Sequence, residues 1–222
     1  MKQITKFWNW FQDNEEAIKN ALLLGINTKE VFHHLNRNYR YISKRIGFLI
    51  ISTSNDQDKY TIIFTADGYR KLFPKIIALE DQAPQLQHFI PQAFVKPIQD
   101  KTPYFEGIDE PYIFKKYKIK ISQLYMALVD YNITTKQLKI SLYIPAYNRI
   151  KDFEEIEIDL KYLVMEVIGE IAFRKHIKKI EFLDLPEATH GLLSLIELPD
   201  YIDYLYKINS KWSHDFIKLP FL

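Results

Sequence analysis

The stretch from Tyr60 to Lys96 constrains the fold more than any other, because it combines a two-residue period, a turn and a helical period in succession. Tyr60, Ile62, Phe64 and Ala66 alternate, so they share one face of a strand packed on a core. Asp67-Gly68 ends that pattern with a turn. Tyr69, Leu72, Phe73, Ile76 and Ile77 then follow the spacing of a buried helical stripe. Pro74 lies inside the stripe, where a proline would break a helix. The expectation is therefore an irregular turn over Tyr69–Phe73, with Pro74 at the start of the regular helix. Phe89 to Val95 reads as a strand, and Pro91 places it at a sheet edge or makes it irregular. A strand, a helix and a strand in this order form a parallel crossover.

Upstream, Phe7, Trp10, Phe11, Ile18, Ala21 and Leu22 give one face of a first helix closed by Gly25, and Trp8 falls off that face. Asn27 with Glu30 reads as a capping box for a second helix carrying Val31, Phe32 and Leu35. Ile46 to Thr53 is a strand joined to the next by a hairpin through the polar run Ser54 to Asp58. Residues 97–111 contain Pro97, Pro103, Gly107 and Pro111 and no apolar period, which marks a linker.

Beyond it the order of elements recurs. Leu124 to Val129 is a strand, Asn132 to Lys136 a turn, and Leu138, Ile140, Leu142 and Ile144 alternate in a second strand. Leu160, Leu163, Val164, Val167, Ile168 and Ile171 form one helical stripe, with Asp152 to Asp159 at its acidic N-terminal end. Ile177 to Leu183 is a strand, and Leu198-Pro199-Asp200 opens a last helix. The predicted fold is α+β: two similar hairpin-helix-strand (ββαβ) units with mixed, largely antiparallel sheet, plus N-terminal and C-terminal helices. The units span 1–96 and 112–222 on either side of the linker, with one compact domain as the alternative.

FWNWF at Phe7 to Phe11, FTADGYRKLFPKIIALEDQAPQL from Phe64 to Leu86, LKISLYIPAYN and LSLIELPDYID together resemble an uncharacterised bacterial family of unknown function. Its members pair a Phe-Trp-x-Trp-Phe helix with a Leu-Phe-Pro and Ala-Pro-x-Leu segment. The resemblance implies the fold. Some relatives are similar to immunity proteins, and the family lends no catalytic residues.

Function classes narrow by elimination. With no Cys, thiolate metal sites, disulfides and cysteine nucleophiles are excluded. Thirty basic against 28 acidic residues give a net charge of +2, too little to draw nucleic acid or an anionic membrane, so nucleic acid is an unfavoured partner. No segment has the length of a membrane span and the N-terminus has no signal-peptide run, so a cytoplasmic protein is expected. His33 and His34 are adjacent and point about 100° apart on a helix, unlike a two-His metal site. Six scattered glycines build neither a P-loop nor a dinucleotide fingerprint. No catalytic, cofactor or metal residues are assigned.

The strongest polar feature is basic: Arg37, Arg40, Lys44 and Arg45 interleaved with Tyr39 and Tyr41. Trp8, Arg37, Tyr39, Arg40 and Tyr41 are the predicted interaction surface of a non-enzymatic, immunity-like module that binds another protein. The alternative is a small-molecule binder or enzyme whose site lies between the two halves, drawn from Tyr39, Arg40, Glu170 or His176.

Overall fold

The computed structural model describes residues 2–52, 59–66 and 68–215. The chain divides into two compact units, Met1–Val95 and Lys96–Leu222.

In the first unit, α1 (Lys2–Asp13), α2 (Glu15–Leu24) and α3 (Thr28–Arg40) precede β1 (Gly47–Ser52), β2 (Tyr60–Thr65), α4 (Phe73–Asp81) and β3 (Phe89–Ala93). The single first helix expected from periodicity is two helices. At Asn14 the side-chain amide donates to the carbonyl of Trp10 (2.8 Å), and the backbone N–H turns to Phe11 instead (3.1 Å). A short polar side chain that takes an i−4 carbonyl competes with the helix ladder, and the helix breaks there. Gly25, at φ 69°, closes α2.

The expected capping box at Asn27 does not form. Asn27 is left-handed (φ 52°) and makes no side-chain cap, whereas a capping side chain needs extended backbone to reach the first free N–H groups. The Thr28 hydroxyl donates instead to the carbonyl of Ala21, at 3.3 Å.

β1 and β2 form the antiparallel hairpin, with Phe48 opposite Phe64 and Ile50 opposite Ile62. Its polar loop, Ser54 to Asp58, and the turn residue Asp67 lie outside the described residues. A 3₁₀ turn over Arg70–Leu72 leads into α4, where Pro74 occupies the first turn as expected. Leu72, Ile76 and Leu79 are buried, but Tyr69 and Ile77 of the expected stripe are about half exposed (both 45%). The Arg45 guanidinium lies over the Tyr69 ring, 4.4 Å from its centroid. β3 pairs parallel with β2, placing Phe89 beside Tyr60, and with Pro91 it forms the sheet edge in the order β1-β2-β3.

Phe7, Trp8, Phe11, Ile18, Leu35, Ile62, Phe64, Ile76, Leu79 and Phe89 make the core of this unit. The rings meet edge to face: Phe7 on Phe64 at 5.8 Å and Phe11 on Phe89 at 5.1 Å. Trp8 corrects the expectation that it falls off the apolar face. It is 2% exposed, and its indole N–H donates to the carbonyl of Leu79 at 3.0 Å. That carbonyl is in the last turn of α4, where it has no partner within the helix. The neighbouring Ala78 and Glu80 carbonyls are taken by the N–H groups of Gln82 and Ala83. Trp8 therefore caps α4 from within the core.

The second unit runs α5 (Thr102–Phe105), β4 (Tyr112–Phe114), β5 (Tyr117–Ile119), β6 (Tyr125–Asn132), β7 (Gln137–Ile144), α6 (Ile156–Ile168), α7 (Glu170–His176), β8 (Ile177–Asp184), β9 (Leu193–Ser194) and α8 (Leu198–Asp215). The Pro-rich stretch contains α5 and is tied into this unit: the N–H of Ile98 donates to the carbonyl of Glu166 (3.0 Å), and Lys101 pairs with Asp200 (2.9 Å). β4 and β5 form a small hairpin of their own.

The main sheet has the order β8-β7-β6-β9. β7 pairs antiparallel with β6 and parallel with β8. In the first unit β2 pairs antiparallel with β1 and parallel with β3, so both units contain the same ββαβ pairing. The long predicted helix through Ile171 divides at Gly169, whose φ 79° and ψ 151° are open essentially to glycine alone. The new direction leaves Ile171 51% exposed while Glu170 and Phe173 are buried. Ser194 and Glu197 form a capping box at the turn that leads into α8.

Candidate functional site

α3 is amphipathic, and its two faces separate the predicted surface residues. Leu35 and Tyr39 point into the core, with Val31 and Phe32 packed beside them. Tyr39 is 6% exposed, its ring meets Phe48 at 5.1 Å, and its hydroxyl donates to the Asn36 side-chain carbonyl at 2.9 Å. Tyr39 is thus a core residue, not a surface one, and the same correction applies to Trp8. Both rings are more stable against neighbouring aromatics than in water.

Arg37, Arg40 and Tyr41 are exposed. Together with His33, Asn36 and Lys44 they line an open cleft of roughly 600 Å³. His33, Arg37 and Arg40 recur at helical spacing, so α3 gathers them on one side, and the turn that follows the helix adds Tyr41 and Lys44. The Arg37 Nε–H donates to the Tyr41 hydroxyl at 3.3 Å, which raises the already high Arg37 pKa and helps hold the guanidinium in place. Tyr41 also borders a second cleft of about 340 Å³ with Gln3, Lys6, Phe7 and Asn38. Among the described residues no carboxylate lines either cleft, and none forms an ion pair with Arg37, Arg40 or Lys44. Arg37 and Arg40 also lie in the last turn of α3, where the helix dipole favours cations.

Sequence composition pointed to this region but missed His33, Asn36 and Lys6. The helical spacing of His33, Arg37 and Arg40 is the signal that finds the face, and Lys44 joins it from beyond the end of α3. Lys6 comes from α1, and only the tertiary fold brings it there. Arg45 belongs to the same basic run yet turns away to Tyr69.

Of the alternative set, Tyr39 and Arg40 belong to the first unit, while Glu170 and His176 belong to the second. Glu170 is fully buried at the start of α7, and His176 is buried at its end. His176 Nδ1 lies 3.1 Å from the Lys136 carbonyl, and burial lowers the imidazole pKa. The ring meets Tyr206 edge to face at 5.3 Å. Nearby in sequence, Glu166 accepts a hydrogen bond from the Tyr112 hydroxyl. Burial raises the Glu166 carboxyl although that hydrogen bond acts the other way, and burial also raises the Tyr112 and Tyr162 hydroxyls. Sequence reading missed Glu166, which lies on the polar margin of the α6 stripe; its partner Tyr112 is 54 residues away. Among the described residues no group of three or more His, Asp or Glu side chains is arranged to hold a metal ion, and no helix is long and apolar enough to cross a membrane.

Compared with family models, with curated proteins and with solved structures, the chain matches none.

Proposed function

We propose that this chain is a non-enzymatic, cytoplasmic protein-binding module, and that the basic face of α3 docks an acidic surface of a partner protein. The observation that carries the reading is the cleft of roughly 600 Å³ in which Arg37, Arg40 and Lys44 converge with no carboxylate among the described residues that line it. Like charges gathered on one face repel one another at a cost to the free protein. An acidic partner relieves that repulsion and is steered towards the site. Arg37, held by Tyr41, offers a planar donor that is partly ordered before a carboxylate arrives.

An acidic protein fits this face better than a nucleic acid does. Single-stranded binding needs a platform of exposed aromatics alongside the cations. Of the two tyrosines interleaved with the basic run, Tyr39 is in the core and Tyr41 alone is exposed. The resemblance to a family with immunity-like relatives directs the search for the partner towards toxin-like proteins of the same cell.

The test is affinity capture with the full chain from nuclease-treated lysate of the native host, run beside Arg37→Glu/Arg40→Glu. Opposing like charges across an interface cost several kcal/mol, so the variant loses at least ~10-fold in affinity. The expected result is a protein retained by the natural chain and lost with the variant. Equal recovery by both, or retention that nuclease abolishes, contradicts the proposal.

A further inference from the structure

The two larger sheets have four edges: β1 and β3 in one, β8 and β9 in the other. An edge strand presents unpaired N–H and C=O groups to any extended chain, and folds blunt it with charge, proline or shortness. Three of these edges are blunted. β3 contains Pro91, β8 exposes Lys178, Lys179 and Glu181, and β9 is two residues long.

β1 is different. Its sequence, GFLIIS, has neither charge nor proline over six residues, and none of the six is buried. Ile51 is 49% exposed. Among the described residues, β2 is the element that makes extensive backbone contact with it. Among the described residues, no backbone group of Gly47–Ser52 has a hydrogen-bond partner outside the β1–β2 ladder.

We propose that β1 is a self-association edge, through which two copies of the chain pair antiparallel about a two-fold axis at Leu49 or Ile50. The pairing joins the two three-stranded sheets into one, in the order β3-β2-β1-β1-β2-β3. A second copy is the occupant because the strand carries no side chain that repels its own image. A two-fold contact also makes every interaction twice. An axis through a residue sets like faces opposite each other. Phe48 and Ile50, which face the core beside Phe64 and Ile62, stay on the core side, and Leu49 and Ile51 stay on the other. The inference is independent of the basic face on α3.

Sedimentation equilibrium of the full chain over a wide concentration range tests the association. A concentration-dependent dimer is expected, and Ile51→Lys, at an exposed position, is expected to raise its dissociation constant at least ~10-fold by placing charge on the edge. The chain contains no cysteine, so Ser52→Cys supplies a unique thiol for a spin label. At the antiparallel strand rise the two labelled backbones lie about 20 Å apart for an axis at Leu49 and about 14 Å for one at Ile50. The label measurement decides the matter even where Ile51→Lys does not fold. A monomer at every concentration, or a dimer without a short label distance, overturns the proposal.

Discussion

Replacing Trp8 with phenylalanine isolates the interaction that places this residue in the core. Phenylalanine keeps an aromatic ring at the position but removes the indole N–H that donates to the Leu79 carbonyl at 3.0 Å. The neighbouring carbonyls of Ala78 and Glu80 already have backbone donors, so no spare N–H of that turn replaces the indole. A buried acceptor left without its donor costs about 1–3 kcal/mol. The smaller ring also gives up two buried carbon atoms beside the nitrogen, at about 0.8 kcal/mol for each CH₂-sized group, or roughly 2 kcal/mol. The expected loss for Trp8→Phe is therefore about 3–5 kcal/mol, read from urea unfolding followed by far-UV circular dichroism. Trp10, partly buried two residues on, is the control, and Trp10→Phe should cost about 1 kcal/mol because half the apolar gain is absent. Equal costs for the two variants would refute the capping role of Trp8.

The second unit offers further tests. Glu166 has a folded pKa raised above its ordinary 4.5, so its ionised form is disfavoured by folding and stability from this group is lost as pH rises from the unfolded value through the folded one. Glu166→Gln should therefore stabilise the unit at neutral pH, with the advantage vanishing below about pH 4 as the natural carboxyl protonates in both states. Tyr112→Phe leaves that buried carboxyl without its donor and should cost about 1–3 kcal/mol in chemical unfolding. His176 behaves in the opposite sense: its folded pKa lies below 6.5, so its contribution is present above the unfolded value and is lost as pH falls through the folded one. His176→Gln should flatten that part of the stability profile. Gly169→Ala forces a side chain into a conformation reserved for glycine and should cost about 1–3 kcal/mol in thermal unfolding.

Where one local period governs, the fold was legible in the sequence. The alternation of β2, the helix opening at Pro74, the edge position given by Pro91 and the shared hairpin-helix-strand order all follow from spacing that one element imposes on itself. The errors arose where the period continues across a break. Apolar spacing runs through Asn14 and through Gly169, and only a side-chain bond at the first and a glycine-only backbone at the second divide the helices.

Trp8 was misjudged for a different reason. Its partner is 71 residues away, so no window on α1 contains it. For the basic face, composition identified Arg37, Arg40 and Tyr41 but could not separate them from Tyr39, because adjacent positions of a helix face different environments.

Site-directed photo-crosslinking tests the docking role of the α3 face most directly. His33→Cys places a unique thiol in the cleft and leaves Arg37, Arg40 and Lys44 in place, and Gln12→Cys places one at an exposed position of α1 outside it. Each is tagged with a thiol-reactive photo-crosslinker and illuminated in lysate of the native host. The account predicts a discrete adduct to an acidic protein from position 33, absent at position 12 and suppressed by Arg37→Glu/Arg40→Glu. The same adducts from both positions, or adducts to nucleic acid alone, would contradict it.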